Sequence, residues 1–138
     1  MKAERVDTWA ADLVDQPGGL AEKLEALSAA KVDLEFAIAR RRPERAGEGV
    51  VFVTPIRGAA QCRAARKAGF EKTRTLYTVR VEGANKAGTG AKLVGALSDA
   101  GLNLRGLSAA AIGRKFVTHI ALDSSADATK ALRLLKTL

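Results

Sequence analysis

The stretch "DQPGGLAEKLEAL", residues 15–27, places an acidic residue, a proline and two glycines directly before a predicted amphipathic helix. The apolar face of that helix repeats at three- and four-residue spacing and consists of Leu20, Leu24 and Leu27. Proline and glycine here are typical of a tight turn into a first helical turn. The free N–H groups at a helix start also carry partial positive charge, so small residues there can admit a carboxylate or a phosphate. The loop alone is compatible with a turn or with a binding site.

A second copy of this stretch lies 70 residues further along the chain, where residues 15–34 align with residues 85–104 without a gap. The identical pairs are Gly18/Gly88, Ala21/Ala91, Ala26/Ala96, Leu27/Leu97, Ser28/Ser98, Ala30/Ala100 and Leu34/Leu104. The match runs through loop, helix and following strand, which alanine-rich composition alone does not explain. We therefore predict a tandem duplication, with one domain over residues 1–74 and another over residues 75–138.

The first copy predicts the element order βαββαβ. Residues 5–14 alternate as a strand, with one face formed by Asp7, Trp9, Ala11 and Leu13. After the first helix, residues 32–41 and the segment "VVFVTP" predict two more strands separated by a polar turn. Thr54 and Pro55 suit the N-cap and first position of a second helix that ends near Gly69. A short fourth strand then leads almost directly into the second copy.

The second copy repeats this order but lacks most of the fourth strand. Its first helix is predicted to end near Ala100, the next strand to begin at Asn103, and the last helix to begin at Ser124. The apolar stripe of that last helix is Ala128, Ala131, Leu132 and Leu135. The predicted fold class is α+β, with two ferredoxin-like units in which helices cover one face of an antiparallel sheet.

The composition excludes several classes of protein. The 138 residues are 47% hydrophobic and 28% charged, with no apolar run as long as a membrane span and no apolar segment in the opening "MKAERVDTW". One cysteine, one histidine and scattered acids do not assemble a catalytic or metal-binding constellation. We therefore expect a cytoplasmic protein that is not an enzyme, contacts no membrane and carries no metal or cofactor.

The segments "DQPGGLAEKLEALSAAKVDLEFA" and "NKAGTGAKLVGALSDAGLNLRGL" resemble the signature of the ACT domain family. The family pattern is a strand, then Asp/Asn-x-Pro-Gly-x-Leu, a helix, and a strand that opens with an apolar and a polar residue. The second segment departs from it at Ala87, where the family usually has proline, and at Gly90, where it has leucine. The resemblance implies a regulatory, allosteric module that binds a free amino acid, acting as a sensor or as a regulatory subunit of a biosynthetic enzyme.

The resemblance also implies which residues contact that amino acid, in pockets between two units. The residues carried over from the family pattern are Asp15, Gly18, Gly19, Leu20 and Asp33 in the first copy, and Asn85, Gly88, Thr89 and Asn103 in the second. The implied pairings are Asp15 with Asn103 and Asn85 with Asp33. N–H groups at a helix start suit the carboxylate of a zwitterion, and Asp or Asn oxygens suit its ammonium.

Each of these polar residues also has a structural interpretation. Asp15 and Asn85 are typical of turns or N-caps, and Asp33 and Asn103 of solvated strand starts. His119 lies in the alternating segment "FVTHIAL", where we expect a sheet residue rather than a base. Cys62 is expected to be a bystander thiol and Trp9 a core residue.

Two other functions compete with amino-acid binding. The net charge of +8 and the basic cluster "RRRPER" at 40–45 point to nucleic acid, and "GRKFVTH" at 113–119 resembles a strand motif of RNA-recognition modules that share this fold. Those modules stack bases on exposed aromatics, whereas this chain is only 4% aromatic, so nucleic acid is the less favoured partner. A ligand-free module that docks on a biosynthetic enzyme is the third alternative.

The strand patterns also predict self-association. We expect the sheet face opposite the helices to expose Ala37, Ala39, Val51 and Val53 in the first copy, and Leu107, Ala109 and Ala111 in the second. A contiguous apolar patch of that kind is rare on monomers, so a homodimer through the sheet face is the expected assembly.

Overall fold

The structure is a computed structural model that describes residues 1–138. The strands are β1 (Lys2–Val6), β2 (Trp9–Val14), β3 (Phe36–Arg41), β4 (Glu48–Thr54), β5 (Glu71–Lys72), β6 (Tyr77–Ala84), β7 (Leu104–Ile112) and β8 (Lys115–Leu122). The helices are α1 (Gly19–Ala29), α2 (Gly58–Lys67), α3 (Thr89–Asp99) and α4 (Ser125–Leu135). The chain forms two compact units: the middle unit is Asp7–Thr73, and the terminal unit is Met1–Val6 together with Arg74–Leu138. None of the helices is long and apolar enough to cross a membrane.

The middle unit has the predicted order βαββαβ. Its antiparallel sheet has the strand order β3-β4-β2-β5, and α1 and α2 pack on one face. The core between sheet and helices contains Trp9, Ala11, Leu13, Leu27, Val51, Val53, Ala65 and Phe70. Trp9 is fully buried, with the Arg66 guanidinium 5.2 Å from its ring centroid, so its predicted core position is confirmed.

The terminal unit obtains its fourth strand from the start of the chain. Its sheet has the order β1-β6-β8-β7, and β1 pairs antiparallel with β6 from Lys2↔Glu82 to Val6↔Thr78. Residues 5–14, expected to form one strand, are thus divided between two strands in two sheets. The first six residues, expected in the domain over 1–74, lie in the terminal unit.

The second helix of the middle unit begins later than predicted. Thr54 is the last residue of β4, and its hydroxyl donates a hydrogen bond of 2.8 Å to the carbonyl of Asp7 instead of capping a helix. The N-cap of α2 is Arg57, whose N–H donates to the Gln61 side chain at 2.9 Å. The predicted start of α4 is confirmed, because the Ser124 hydroxyl accepts a hydrogen bond from the N–H of Asp127.

The prediction of which residues form the open face of the middle sheet is wrong. Val51 and Val53 are fully buried in the helix-side core, and their pairing partners Ala39 and Ala37 lie on that same helix-side face. Directly paired residues of antiparallel strands point to the same side of a sheet. All four residues therefore point toward the helices and not to the open face.

The same reversal holds in the terminal sheet. The relevant register is Leu107↔Ile120, Ala109↔Thr118 and Ala111↔Phe116. Ile120 is a core residue, so this set also faces the helices. Leu107, Ala109 and Ala111 are exposed, as predicted, although they lie on the helix side of the sheet.

Candidate functional site

Each unit has a groove between the loop that precedes its first helix and the edge strand of its sheet. The terminal groove has a volume of about 370 Å³. It is lined by residues 85–90, Leu93, Leu107, residues 109–111, Phe116 and Thr118. The middle groove has a volume of about 210 Å³. It is lined by residues 13–16, Leu20, residues 39–41 and Gly49.

A left-handed glycine starts the helix at each groove. Gly18 has φ +88° at the N-cap of α1 and Gly88 has φ +86° at the N-cap of α3, and neither helix has a side-chain cap. The N-cap interpretation of Asp15 and Asn85 is therefore wrong. Both residues are instead held through their backbone, since Asp15 N–H donates to Gly47 and Asn85 N–H to Arg114 at 2.9 and 2.8 Å.

The first N–H group of each helix is already used. The N–H of Gly19 donates to the carbonyl of Gln16, and the N–H of Thr89 to that of Lys86, both at 3.1 Å. In α3 the next two N–H groups, of Gly90 and Ala91, have no acceptor within the chain. These groups carry the positive end of the helix dipole, so a carboxylate placed there gains hydrogen bonds and favourable electrostatics.

The glycines of the two loops and helix starts differ in whether they could be replaced by a residue with a side chain. Gly18 has open space around its Cα, but its positive φ would strain any L side chain, a β-branched valine most of all. A Cβ on Gly19 would collide with the Val14 carbonyl oxygen. Gly90 has neither problem, because a Cβ there meets nothing within 4 Å and its φ is not positive. A side chain at Gly90 therefore reports on the groove rather than on backbone strain.

The grooves also differ in charge. In the middle groove Arg41 Nε lies 2.9 Å from a carboxylate oxygen of Asp15. At the equivalent sheet position the terminal groove has Ala111, because Ala111 pairs with Phe116 as Arg41 pairs with Gly49. Asn85, at the position of Asp15, is uncharged and has no ionic partner. The terminal groove consequently lacks the ion pair that occupies the middle groove.

Four of the residues carried over from the family pattern, Gly18, Gly19, Asp33 and Asn103, do not line either groove. Asp33 is exposed in the connection between α1 and β3, and Asn103 is exposed just before β7. The strand starts expected at these two residues lie later, at Phe36 and Leu104. The pairings of Asp15 with Asn103 and of Asn85 with Asp33 stay predictions.

The edge-strand lining was missed in the sequence. The strand pattern alone predicts Leu107, Ala109 and Ala111 on the open sheet face and singles out Phe116 only as part of an RNA-like motif. The sequence does contain a signal for this lining, because Ala109 and Ala111 are small residues on the strand that follows the repeated helix. Once the faces of that strand are assigned correctly, these residues lie opposite the loop before α3. Phe116, Leu93 and Thr118 are 8%, 2% and 3% exposed, so they form a rigid floor, and the Thr118 hydroxyl donates to the carbonyl of Ser108 at 3.0 Å.

The histidine and the cysteine lie outside the linings of both grooves. His119 is 7% exposed in the middle of β8, and Cys62 is half-buried on α2. No group of three or more His, Cys, Asp or Glu side chains is placed to hold a metal ion. A wider depression at the end of the terminal sheet includes Glu82, where the hydrogen bond from the Arg80 guanidinium and its charge hold the pKa of the carboxyl below its ordinary value.

No protein-family model and no curated protein matches the sequence. Protein BT0572 from Bacteroides thetaiotaomicron has a similar structure, with a TM-score of 0.80, 18% identity, and coverage of 97% of this chain and 90% of that chain. The ligand-free regulatory subunit of aspartate kinase from Thermus thermophilus has a TM-score of 0.61 and 20% identity, covering 99% of this chain and 97% of that chain. The corresponding subunit from Thermus flavus has a TM-score of 0.59 and 18% identity over 99% of this chain and 96% of that chain. The chain therefore has the fold of tandem ACT-type domains.

Proposed function

We propose that the protein is a regulatory module that binds a free amino acid and transmits its presence to a biosynthetic enzyme. The observation that carries the proposal is the terminal groove. It combines Gly90, whose N–H group has no acceptor, with Asn85 and an apolar floor within one concavity, and the acceptor-free N–H group of Ala91 follows next along α3. Its volume of about 370 Å³ lies in the range of about 300–1,000 Å³ that is usual for small-molecule pockets.

The groups of the terminal groove match the two charges of an amino acid. The ligand carboxylate is placed at the start of α3, beside the N–H groups of Gly90 and Ala91 and near the Lys86 ammonium. The ligand ammonium is placed against the side-chain oxygen of Asn85. Hydrogen bonds to charged groups contribute about 1.5–3 kcal/mol each.

The partner enzyme is proposed by analogy with the regulatory subunits of aspartate kinase that share this fold. In this role the chain performs no chemical step, and its output is a change of contact with a catalytic protein. The ligand shifts the equilibrium between two states of the module by its difference in affinity for them.

Nucleic-acid binding is less well supported by the charge distribution. Three arginines of the basic cluster pair with acids, in the pairs Arg41–Asp15, Arg42–Asp12 and Arg45–Glu48. Phe116 of the RNA-like segment is 8% exposed and faces the helix-side core, where no base could stack on it.

A thermal-shift screen separates the three functions. The protein is heated with each of the twenty amino acids, with a set of nucleotides and with a single-stranded RNA oligonucleotide. We expect at least one amino acid to raise the melting temperature in a concentration-dependent manner, because a ligand selective for the native state stabilises it by mass action. A shift from RNA alone would support the nucleic-acid alternative, and no shift from any compound would favour a ligand-free docking module.

A further inference from the structure

The two grooves occupy equivalent places in a duplicated chain, yet their lining differs at the residues that decide access. Leu20 is the second residue of α1 and lines the middle groove, whereas Gly90 is the second residue of α3 and lines the terminal groove. Arg41 on the edge strand of one unit is replaced by Ala111 on the edge strand of the other. Both replacements remove side-chain volume. The terminal groove has a volume of about 370 Å³, and the middle groove has a volume of about 210 Å³.

From this contrast we infer that the copies have diverged: only the terminal groove takes the ligand, and that ligand is an amino acid with an uncharged, apolar side chain. The inference rests on the proposed function and adds that the middle groove takes no ligand and which class of amino acid binds.

The middle groove is narrowed by its own side chains. The Asp15 carboxylate is engaged by Arg41 at 2.9 Å, so the acidic oxygen that would accept from a ligand ammonium already has a cation. An incoming zwitterion would have to break that ion pair and also displace Leu20 from the helix start. The volume of about 210 Å³ is below the usual range for a small-molecule pocket.

The lining of the terminal groove determines which ligand side chains it accepts. Its lining contains no acidic residue, and its single charged group, Lys86, is the one proposed to face the ligand carboxylate and is not left for an acidic side chain. A lysine or arginine side chain placed there would lose water without gaining an anionic partner, which is unfavourable. Leu93, Leu107 and Phe116, together with four alanines, offer apolar surface instead. Aliphatic and aromatic amino acids are the class that this surface accepts.

The test uses glycine-to-leucine variants on one helix. Gly90→Leu copies Leu20 into the terminal groove, and a Cβ there meets nothing within 4 Å. Gly95→Leu is the matched control, since Gly95 lies on the same helix with equally open surroundings and does not line the groove. Leucine is the better helix former at both positions, so neither variant is expected to lower the melting temperature.

Titration calorimetry is carried out with leucine, isoleucine, valine, methionine and phenylalanine, and with lysine, arginine, aspartate and glutamate. We expect at least one apolar amino acid and no charged one to bind, with affinity reduced about tenfold or more in Gly90→Leu and unchanged in Gly95→Leu. Arg41→Ala, which opens the middle groove, should leave the affinity unchanged. Asn85→Asp combined with Ala111→Arg, which installs the ion pair, should abolish binding.

Specific outcomes would overturn the inference while amino-acid binding itself stands. A charged amino acid as the preferred ligand would refute the ligand class. Undiminished binding in Gly90→Leu, or a loss of binding in Arg41→Ala, would place the site elsewhere. If none of the twenty amino acids binds the wild-type protein, the proposed function itself fails.

Discussion

At the scale of single residues, the two copies have exchanged a large and a small side chain at one paired position. In the middle sheet Leu13 pairs with Gly49, and in the terminal sheet Gly83 pairs with Phe116. A Cβ on Gly83 would lie 3.1 Å from the Phe116 ring, whereas one on Gly49 would lie 2.9 Å from the Arg40 carbonyl oxygen and at an ordinary contact distance of 3.5 Å from the Leu13 Cβ. Each pair has one large and one small residue. The large residue lies on β2 in the middle sheet and on β8 in the terminal sheet. No single sequence position could reveal this, because the exchange is visible only across the pair.

Gly83→Leu is therefore expected to overpack the terminal core and to lower the free energy of unfolding by about 1–3 kcal/mol. Phe116→Gly alone removes a 92% buried ring that forms the groove floor and should cost about 3–5 kcal/mol, as other Phe truncations do. Because the two residues compete for one space, the double variant should be more stable than the sum of the single effects implies, by about 0.5–3 kcal/mol. Urea unfolding of all four proteins gives the coupling. Strict additivity would show that the two positions are independent.

At the scale of elements, the repeat and its βαββαβ order could be predicted, because a helix stripe and alternating strands follow directly from local spacing. The division of residues 5–14 could not. Alternation continues across residues 6–9, so nothing local separates β1 from β2. The partner of β1 is β6, more than 70 residues away, and a strand's own pattern does not specify which sheet it joins.

The faces of β4 were unpredictable for a different reason. Val50, Val51 and Val53 are all buried, and Phe52 between them is half-buried, so the segment shows no alternation from which to choose a side. A one-residue error then moves the whole set to the opposite face. The helix loops, in contrast, were placed correctly, because glycine at a left-handed N-cap leaves a signal in the sequence itself.

Deleting residues 1–6 tests the role of β1 in the terminal sheet. The deletion removes the pairing with β6, the buried Ala3, and the hydrogen bond of 3.1 Å from Arg5 to the Ser125 hydroxyl on α4. We expect the free energy of unfolding to fall by on the order of 1–3 kcal/mol and the N–H groups of β6 that face β1 to exchange faster with deuterium. Exchange in β2 and β4 of the middle unit should be unchanged. Unaltered protection of β6 would show that β1 does not stabilise this sheet.

At the scale of the whole molecule, the positive charge is spread thinly rather than gathered. The net charge is +8, but the arginines of the basic cluster are largely compensated by neighbouring acids. A long-range field of this kind raises solubility and weak attraction to anions without specifying a partner. Specific recognition therefore has to come from concave or unpaired surface, which here means the grooves and the sheet edges.

The structure moves the expected site of self-association from the open sheet face to a sheet edge. A charge at Val53, on the sheet face that the strand pattern alone predicts to be open, would lie in the core of the middle unit and unfold it. The more exposed edge is β7, which pairs only with β8 and carries Leu107 and Ile112 at 46% and 78% exposure. The edge strand β3 instead ends in Arg40 and Arg41, and charges of this kind block edge-to-edge pairing.

We therefore predict a homodimer that pairs through the edge of β7. Multi-angle light scattering should give twice the chain mass of 14.5 kDa for the wild-type protein. Ile112→Lys should shift the equilibrium toward monomer, because it places a charge on the pairing edge without disturbing a buried residue. Val14→Lys is the control, since Val14 is 60% exposed at the end of β2 in the other unit and should leave the mass unchanged. A monomeric wild-type protein would contradict the homodimer, and a dimer resistant to Ile112→Lys would place the contact away from β7.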